Sequence, residues 1–274
     1  MTLAADVGGD PCAPGVVLMH GGGQTRFSWM GAGAALIAAG YRVVNFDARG
    51  HGESDWAGPG GYSLKHSAAD LKAVVDGLAG PIALVGASLG GATSLRAMAE
   101  GMRPSAVVLV DIVPSPDPRG VARIRAFMQQ RPEGFDSLDE VADAIAAYNP
   151  HRRRPKDLDG LRRNLREQPD GRFRWHWDPA FLGREIDVEL VELAETIEGA
   201  RQAQDVPVLL IRGMSSDVVN DEGIDTLREV LPRLESLDVA GAGHMVAGDR
   251  NDVFNAGVLQ FLARHFPARA EAAE

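Results

Sequence analysis

Four short, mainly apolar runs divide the first 113 residues: 16–19, 41–46, 82–85 and 106–113. Between them lie stretches of a different character. Residues 29–39 are rich in alanine and stop at Gly40, and residues 64–78 carry Ala68, Leu71, Val74, Val75 and Leu78 at helical spacing. Residues 91–100 form a third such stretch. A short apolar run without polar alternation reads as a strand covered on both faces, and strands joined through helices pair in parallel. The expectation is an α/β fold on a mostly parallel sheet.

The pattern lapses at Pro114 and resumes near Val206. In between are amphipathic patches predicted as helices at 121–130, 138–148, 157–167 and 188–203. A basic run, His151-Arg152-Arg153-Arg154, reads as a solvated helix entry rather than an anion site. Residues 114–204 are thus expected to be a helical insertion on a core made of 1–113 and 205–274. The core continues with a strand at 207–211, a helix at 222–230, a strand at 234–239, the loop Gly241-Ala242-Gly243-His244 and a helix at 252–266. A chain of 274 residues, 45% hydrophobic and 24% charged, suits one globular domain with room for that insertion.

The formal net charge of −10 argues against nucleic acid and against an anionic membrane surface as partners. The single cysteine, Cys12, excludes an intrachain disulfide, and no stretch approaches the roughly 18 apolar residues of a membrane span. With no signal-peptide pattern at the start, a cytoplasmic location is the default expectation. No metal-ligand motif is evident, and no cofactor is expected. A homo-oligomer is left open.

The chemistry concentrates at Gly86-Ala87-Ser88-Leu89-Gly90, a G-x-S-x-G between a strand and a helix. A serine hydroxyl is a poor nucleophile until it is exposed and a base takes its proton. A sharp strand-to-helix turn lifts Ser88 above the sheet and sets the Leu89 N–H at a helix N-terminus, where negative charge is favoured. Of the seven histidines, His20 lies in a glycine loop and His51 in a tight turn; His66, His151, His176 and His265 fall on helices or in the insertion. Only His244 follows a late strand in a glycine-flanked loop, so it is the expected base. The orienting acid is expected to be Asp217, after the strand at 207–211, with Asp111 as the rival. Leu89 supplies one oxyanion N–H, and the loop His20-Gly21-Gly22-Gly23 supplies the other from Gly22 or Gly23. A nucleotide-binding loop is not indicated, because Gln24-Thr25-Arg26 follows where a lysine would be needed.

These segments, together with Asp47-x-Arg49-Gly50-His51-Gly52-x-Ser54 and Arg212-Gly213, occur in the order seen in the α/β-hydrolase superfamily. The chain most resembles its bacterial branch of small esterases, cofactor-free haloperoxidase-like hydrolases and ring-fission C–C hydrolases. The resemblance covers about 14–113 and 205–266 and implies an eight-stranded sheet with a helical cap over Ser88. Only about 15 residues precede the first run, where the family usually has an antiparallel hairpin, so about seven strands are expected. Relatives that cleave epoxides or haloalkanes attack with an aspartate where this chain has Ser88, which makes those activities improbable here.

The expected substrate is a small or medium carboxylic ester or lactone, hydrolysed through an acyl-enzyme. C–C hydrolysis of a diketone-like compound is the alternative, and a weakly catalytic small-ligand receptor is the alternative of another class. The aromatic stretch Arg172-Phe173-Arg174-Trp175-His176-Trp177 either lines the pocket through Trp175 or Trp177 or anchors the insertion. Gly23, Phe27 and Met245 are further candidates for pocket walls, whereas His176 is expected at the surface.

Overall fold

The computed structural model describes residues 1–150, 154, 157–246 and 251–268. Seven strands form the main sheet: β1 (Ala5–Gly8), β2 (Gly15–Met19), β3 (Arg42–Phe46), β4 (Ile82–Ala87), β5 (Ala106–Val110), β8 (Val208–Gly213) and β9 (Leu234–Val239), in the order β1-β3-β2-β4-β5-β8-β9. Every pairing is parallel except β1 against β3. Among the described residues the sheet has the seven strands expected, with β1 as a single antiparallel edge.

Side chains alternate between two apolar layers. Val17, Met19, Leu84, Leu109 and Leu210 face α2 (Leu64–Asp76), α3 (Leu89–Ala99) and α7 (Asp221–Val230). Val16, Leu18, Val85, Val108 and Ile211 face α1 (Met30–Ala38) and α8 (Asn251–His265). Both faces are covered, and this is why the strands read as continuous apolar runs. The order reverses between β2 and β4, the place where open α/β sheets gather their binding crevices. Among the described residues no helix is long and apolar enough to cross a membrane.

Between β5 and β8 run α4 (Pro118–Gln129), α5 (Leu138–Tyr148), a hairpin of β6 (Leu165–Glu167) and β7 (Phe173–Trp175), and α6 (Ile186–Gly199). Met128, Phe135, Val141, Phe173, Trp175 and Trp177 share an apolar cluster separate from the sheet, whereas Ile197 of α6 packs into the sheet's own layer. The helix expected at 157–167 is instead a 3-10 turn (Asp159–Asn164) followed by β6. Gln168-Pro169-Asp170-Gly171 makes the connecting turn, with the Gly171 N–H on the Gln168 carbonyl at 2.9 Å, and this turn chemistry overrides the helical spacing. Of the basic run at 151–154 only Arg154 lies among the described residues; it pairs with Asp139 (2.7 Å) and Asp143 (2.8 Å).

Candidate active site

Ser88 sits between β4 and α3 with φ +44° and ψ −106°, a conformation non-glycine residues rarely adopt. The turn is packed so tightly that a Cβ at Gly86 would collide with the Gly90 carbonyl, and one at Gly90 with the Met19 carbonyl. The two flanking glycines of the motif are therefore demanded by close backbone approach. Gly86→Ala is expected to cost on the order of 3 kcal/mol. A urea midpoint unchanged from wild type would show that α3 can back away from β4.

His244 Nδ1 lies 2.7 Å from Asp111 Oδ2, which accepts its proton in a hydrogen bond, and the Asp111 carboxylate is fully buried. Asp111 also accepts from Ser216 Oγ (2.6 Å) and from the Gly213 N–H (3.2 Å). With one carboxylate oxygen on Nδ1, the tautomer that suits the pair carries its proton there and leaves Nε2 as the basic nitrogen. Asp111 adopts φ +53° one residue past β5, which ends the strand three residues earlier than the sequence suggested.

Asp217, the acid expected from sequence, is not at the histidine. Its carboxylate accepts from Arg123 Nε of α4 at 2.6 Å, and both side chains are partly exposed. The cause lies in the loop after β8. Gly213 and Ser216 turn inward to Asp111, and this carries Asp217 past the site toward α4, where Gly120 lies against its backbone carbonyl.

The glycine loop after β2 meets Ser88. The Gly21 N–H donates to Gln24 Oε1 (2.9 Å) and the Gly23 N–H to His51 Nε2 (3.1 Å). Gly22 lies between them and borders the same space as Ser88, as does Leu89 at the start of α3. Three buried imidazoles surround this loop. His20 Nδ1 is 2.8 Å from the Gly21 carbonyl, and its Nε2 accepts from the Ala48 N–H at 2.9 Å. His51 stacks at a tilt between His20 (5.3 Å) and His176 (5.7 Å). Burial, then the neighbouring imidazole of His20, pulls His51 down to about 3. Burial likewise holds His176 well below the ordinary histidine value and His20 below it. His176, expected at the surface, is 1% exposed.

Two cavities of about 230 and 420 Å³ meet at the nucleophile, and Ser88, His244, Gly22, Ile124 and Met128 border both. The smaller has a mainly aliphatic wall that includes Leu64, Leu89, Ile112, Leu182 and Leu193. No sequence pattern marks this chamber, because its wall is assembled from helices far apart in the chain. Its charged residues are already engaged: Arg49 with Asp70, Arg125 with Glu189, and Arg184 with Glu192. The larger is bordered by Gly23, Phe127, Trp175, Trp177 and Met245. Trp175 and Trp177 stack at 5.0 Å within the separate apolar cluster, so they both line the cavity and anchor the segment. Phe27 borders neither cavity; it lies under the guanidinium groups of Arg26 (4.5 Å) and Arg163 (5.1 Å). It lies on the 3-10 turn Arg26–Trp29, from which Ser28 and not Phe27 reaches the larger cavity. Among the described residues no group of three histidine, cysteine or acidic side chains is placed to hold a metal ion.

A family model described as "Alpha/beta hydrolase family" matches residues 16–256. An esterase of Mycobacterium tuberculosis is 31% identical over 261 residues, 87% of this chain and 79% of the relative. The sn-1-specific diacylglycerol lipase ABHD11 of Mus musculus is 28% identical over 270 residues, 93% of this chain and 83% of the relative. Among solved structures, that of E-2-(acetamidomethylene)succinate hydrolase aligns with a TM-score of 0.79 over 95% of this chain and 94% of its own, at 23% identity.

Proposed function

Because this chain belongs to the α/β-hydrolase family and is accordingly a hydrolase, we propose that it cleaves a small or medium, uncharged carboxylic ester or lactone through Ser88, His244 and Asp111. The observation that carries the reading is the buried Asp111–His244 hydrogen bond at the same two cavities as the strained Ser88. Ser88 Oγ attacks the ester carbonyl while its proton passes to His244 Nε2, and Asp111 stabilises the imidazolium. The negative charge on the former carbonyl oxygen falls to the N–H groups of Leu89 and Gly22. Collapse breaks the carbon–oxygen bond, and His244 returns the proton to the leaving alcohol. Water, deprotonated by His244, then adds to the acyl-enzyme and releases the acid and Ser88.

The segment 114–204 acts as a cap, since α4, the β6–β7 hairpin and α6 contribute walls to the two chambers. An aliphatic tail fits the smaller chamber, where an anionic one would find each guanidinium already paired. This favours an ester over an acidic C–C hydrolase substrate. The names of the relatives, an esterase and a lipase, support the same reading.

The test is hydrolysis of p-nitrophenyl acetate, butyrate and octanoate by wild type and Ser88→Ala. The expected result is a burst of nitrophenol followed by steady turnover in the wild type, and a loss of at least about 10³-fold in Ser88→Ala. A folded wild type that reacts with a fluorophosphonate yet turns over no ester would move the assignment to C–C hydrolysis or to a receptor.

A further inference from the structure

Gly23, the residue after the Gly22 donor, is held by imidazoles on both of the peptide groups that flank its Cα. His51 Nε2 accepts the Gly23 N–H at 3.1 Å, and His176 Nε2 lies 3.3 Å from the Gly23 carbonyl. The tautomers follow from the backbone partners. His176 Nδ1 accepts the Gly52 N–H at 2.7 Å, so its proton sits on Nε2 and is donated to Gly23. His51 is in the opposite state, with its Nδ1 proton directed to the Arg49 carbonyl at 3.0 Å. Gly23 therefore has a fixed donor on its carbonyl and a fixed acceptor on its N–H.

The two imidazoles come from different parts of the chain. His51 belongs to the loop after β3, whereas His176 follows β7 and lies 153 residues from Gly23. It is seated firmly: the Asp178 N–H reaches the Gly50 carbonyl at 2.8 Å, and Asp178 Oδ2 accepts from Tyr62 Oη (2.6 Å) and the Gly58 N–H (3.1 Å). Phe181 closes the stack with an edge-on contact to His51 at 4.7 Å.

We propose that His176 is a positioning residue for the oxyanion site: docked through Asp178, it holds the Gly23–Gln24 peptide while His51 holds the Gly22–Gly23 peptide, and the two together fix the glycine loop whose Gly21–Gly22 peptide carries the donor N–H. The inserted segment then supplies part of the catalytic geometry as well as walls for the substrate. This rests on the serine-hydrolase reading above.

Two variants separate the two bonds of His176. Asn places an acceptor near Nδ1 and loses the donor to Gly23; Gln reaches the Nε2 position with a donor and loses the Gly52 link. The readout is the rate at which a fluorophosphonate labels Ser88, where an Oγ–P bond forms, fluoride leaves, the serine proton passes to His244 and the phosphoryl oxygen occupies the oxyanion site. Ester kcat and KM are measured beside it, all per folded molecule by near-UV circular dichroism. His176→Asn is expected to slow labelling and to lower kcat by about 10- to 100-fold with KM within about twofold of wild type, a transition-state effect. His176→Gln is expected to stay within about threefold in both.

Equal labelling rates in wild type and a folded His176→Asn would overturn the inference, as would a loss confined to KM. Should the Asn variant not fold, a tenfold or greater loss in His176→Gln would overturn it instead. A wild-type Ser88 that did not label at all would bring down the serine-hydrolase reading, and this inference with it.

Discussion

Asp111→Asn is expected to lower kcat on p-nitrophenyl butyrate by about 10³- to 10⁴-fold, while Asp217→Asn stays within about threefold of wild type. The contrast follows from what each carboxylate touches. Asp111 is buried against His244 Nδ1, and an amide there can present its NH₂ to the ring, stabilising the tautomer with its proton on Nε2. That tautomer cannot accept the serine proton. Charge stabilisation of the imidazolium is lost at the same time. Folding should survive, because Gly213 can still donate to the amide oxygen, and the Ser216 hydroxyl, which shares Oδ2 with His244, can turn to accept from the amide NH₂. Among the described residues Asp217 pairs with Arg123, a partly exposed pair of the kind that contributes little. Steady-state kinetics on both purified variants decides the matter; a loss of more than 100-fold in Asp217→Asn with an active Asp111→Asn would reverse the assignment.

The second large effect is on stability in mild acid. His51 and His176 are buried and neutral, and each uses one ring nitrogen to accept a backbone N–H. Protonation would turn those acceptors into donors facing donors. Their folded values lie below the unfolded value of 6.5, with His51 at about 3. Below pH 6.5 the unfolded chain therefore takes up protons that the folded chain refuses, and stability falls as pH falls through that window. At about 1.4 kcal/mol per pH unit His51 alone removes about 2 kcal/mol by pH 5, and His176 adds to the loss in the same direction. That is a large share of the 5–15 kcal/mol that holds a typical domain folded. Urea melts at pH 7.5, 6 and 5 should show a steep drop in midpoint, shallower in His176→Gln by about one proton. A midpoint that did not move between pH 7.5 and 5 would mean that these imidazoles can be charged in place.

How much of this was legible in the residues depends on range. The strands that build the sheet could be read because double-sided burial writes itself as short apolar runs. Ser88 and Leu89 are fixed by a five-residue motif, and His244 by its glycine-flanked loop. The acid was not legible, because a carboxylate follows both β5 and β8. What chooses between them is the positive φ of Asp111 and the path of residues 213–217, neither of which has a local signature. The β6–β7 hairpin did have one, in Pro169-Asp170-Gly171, and the helical spacing of 157–167 obscured it. His176 had none, since its partners Gly23 and Gly52 are 153 and 124 residues away.

The placement of Asp111 has a consequence for how such a chain can change. In the proposed reading, nucleophile, acid and oxyanion amides all lie within residues 22–111, on adjoining strands, and only the base must return from beyond the insertion. The stretch between β5 and β8 is thus a replaceable module, and the loop after β8 need only keep its two contacts to Asp111. New chamber walls can be grafted between the same two strands without moving a group that touches the reacting atoms. A graft that omits an imidazole at the place of His176 should bind its new substrate well and turn it over slowly. Selection for rate would then act on that one seam before it acted on the pocket.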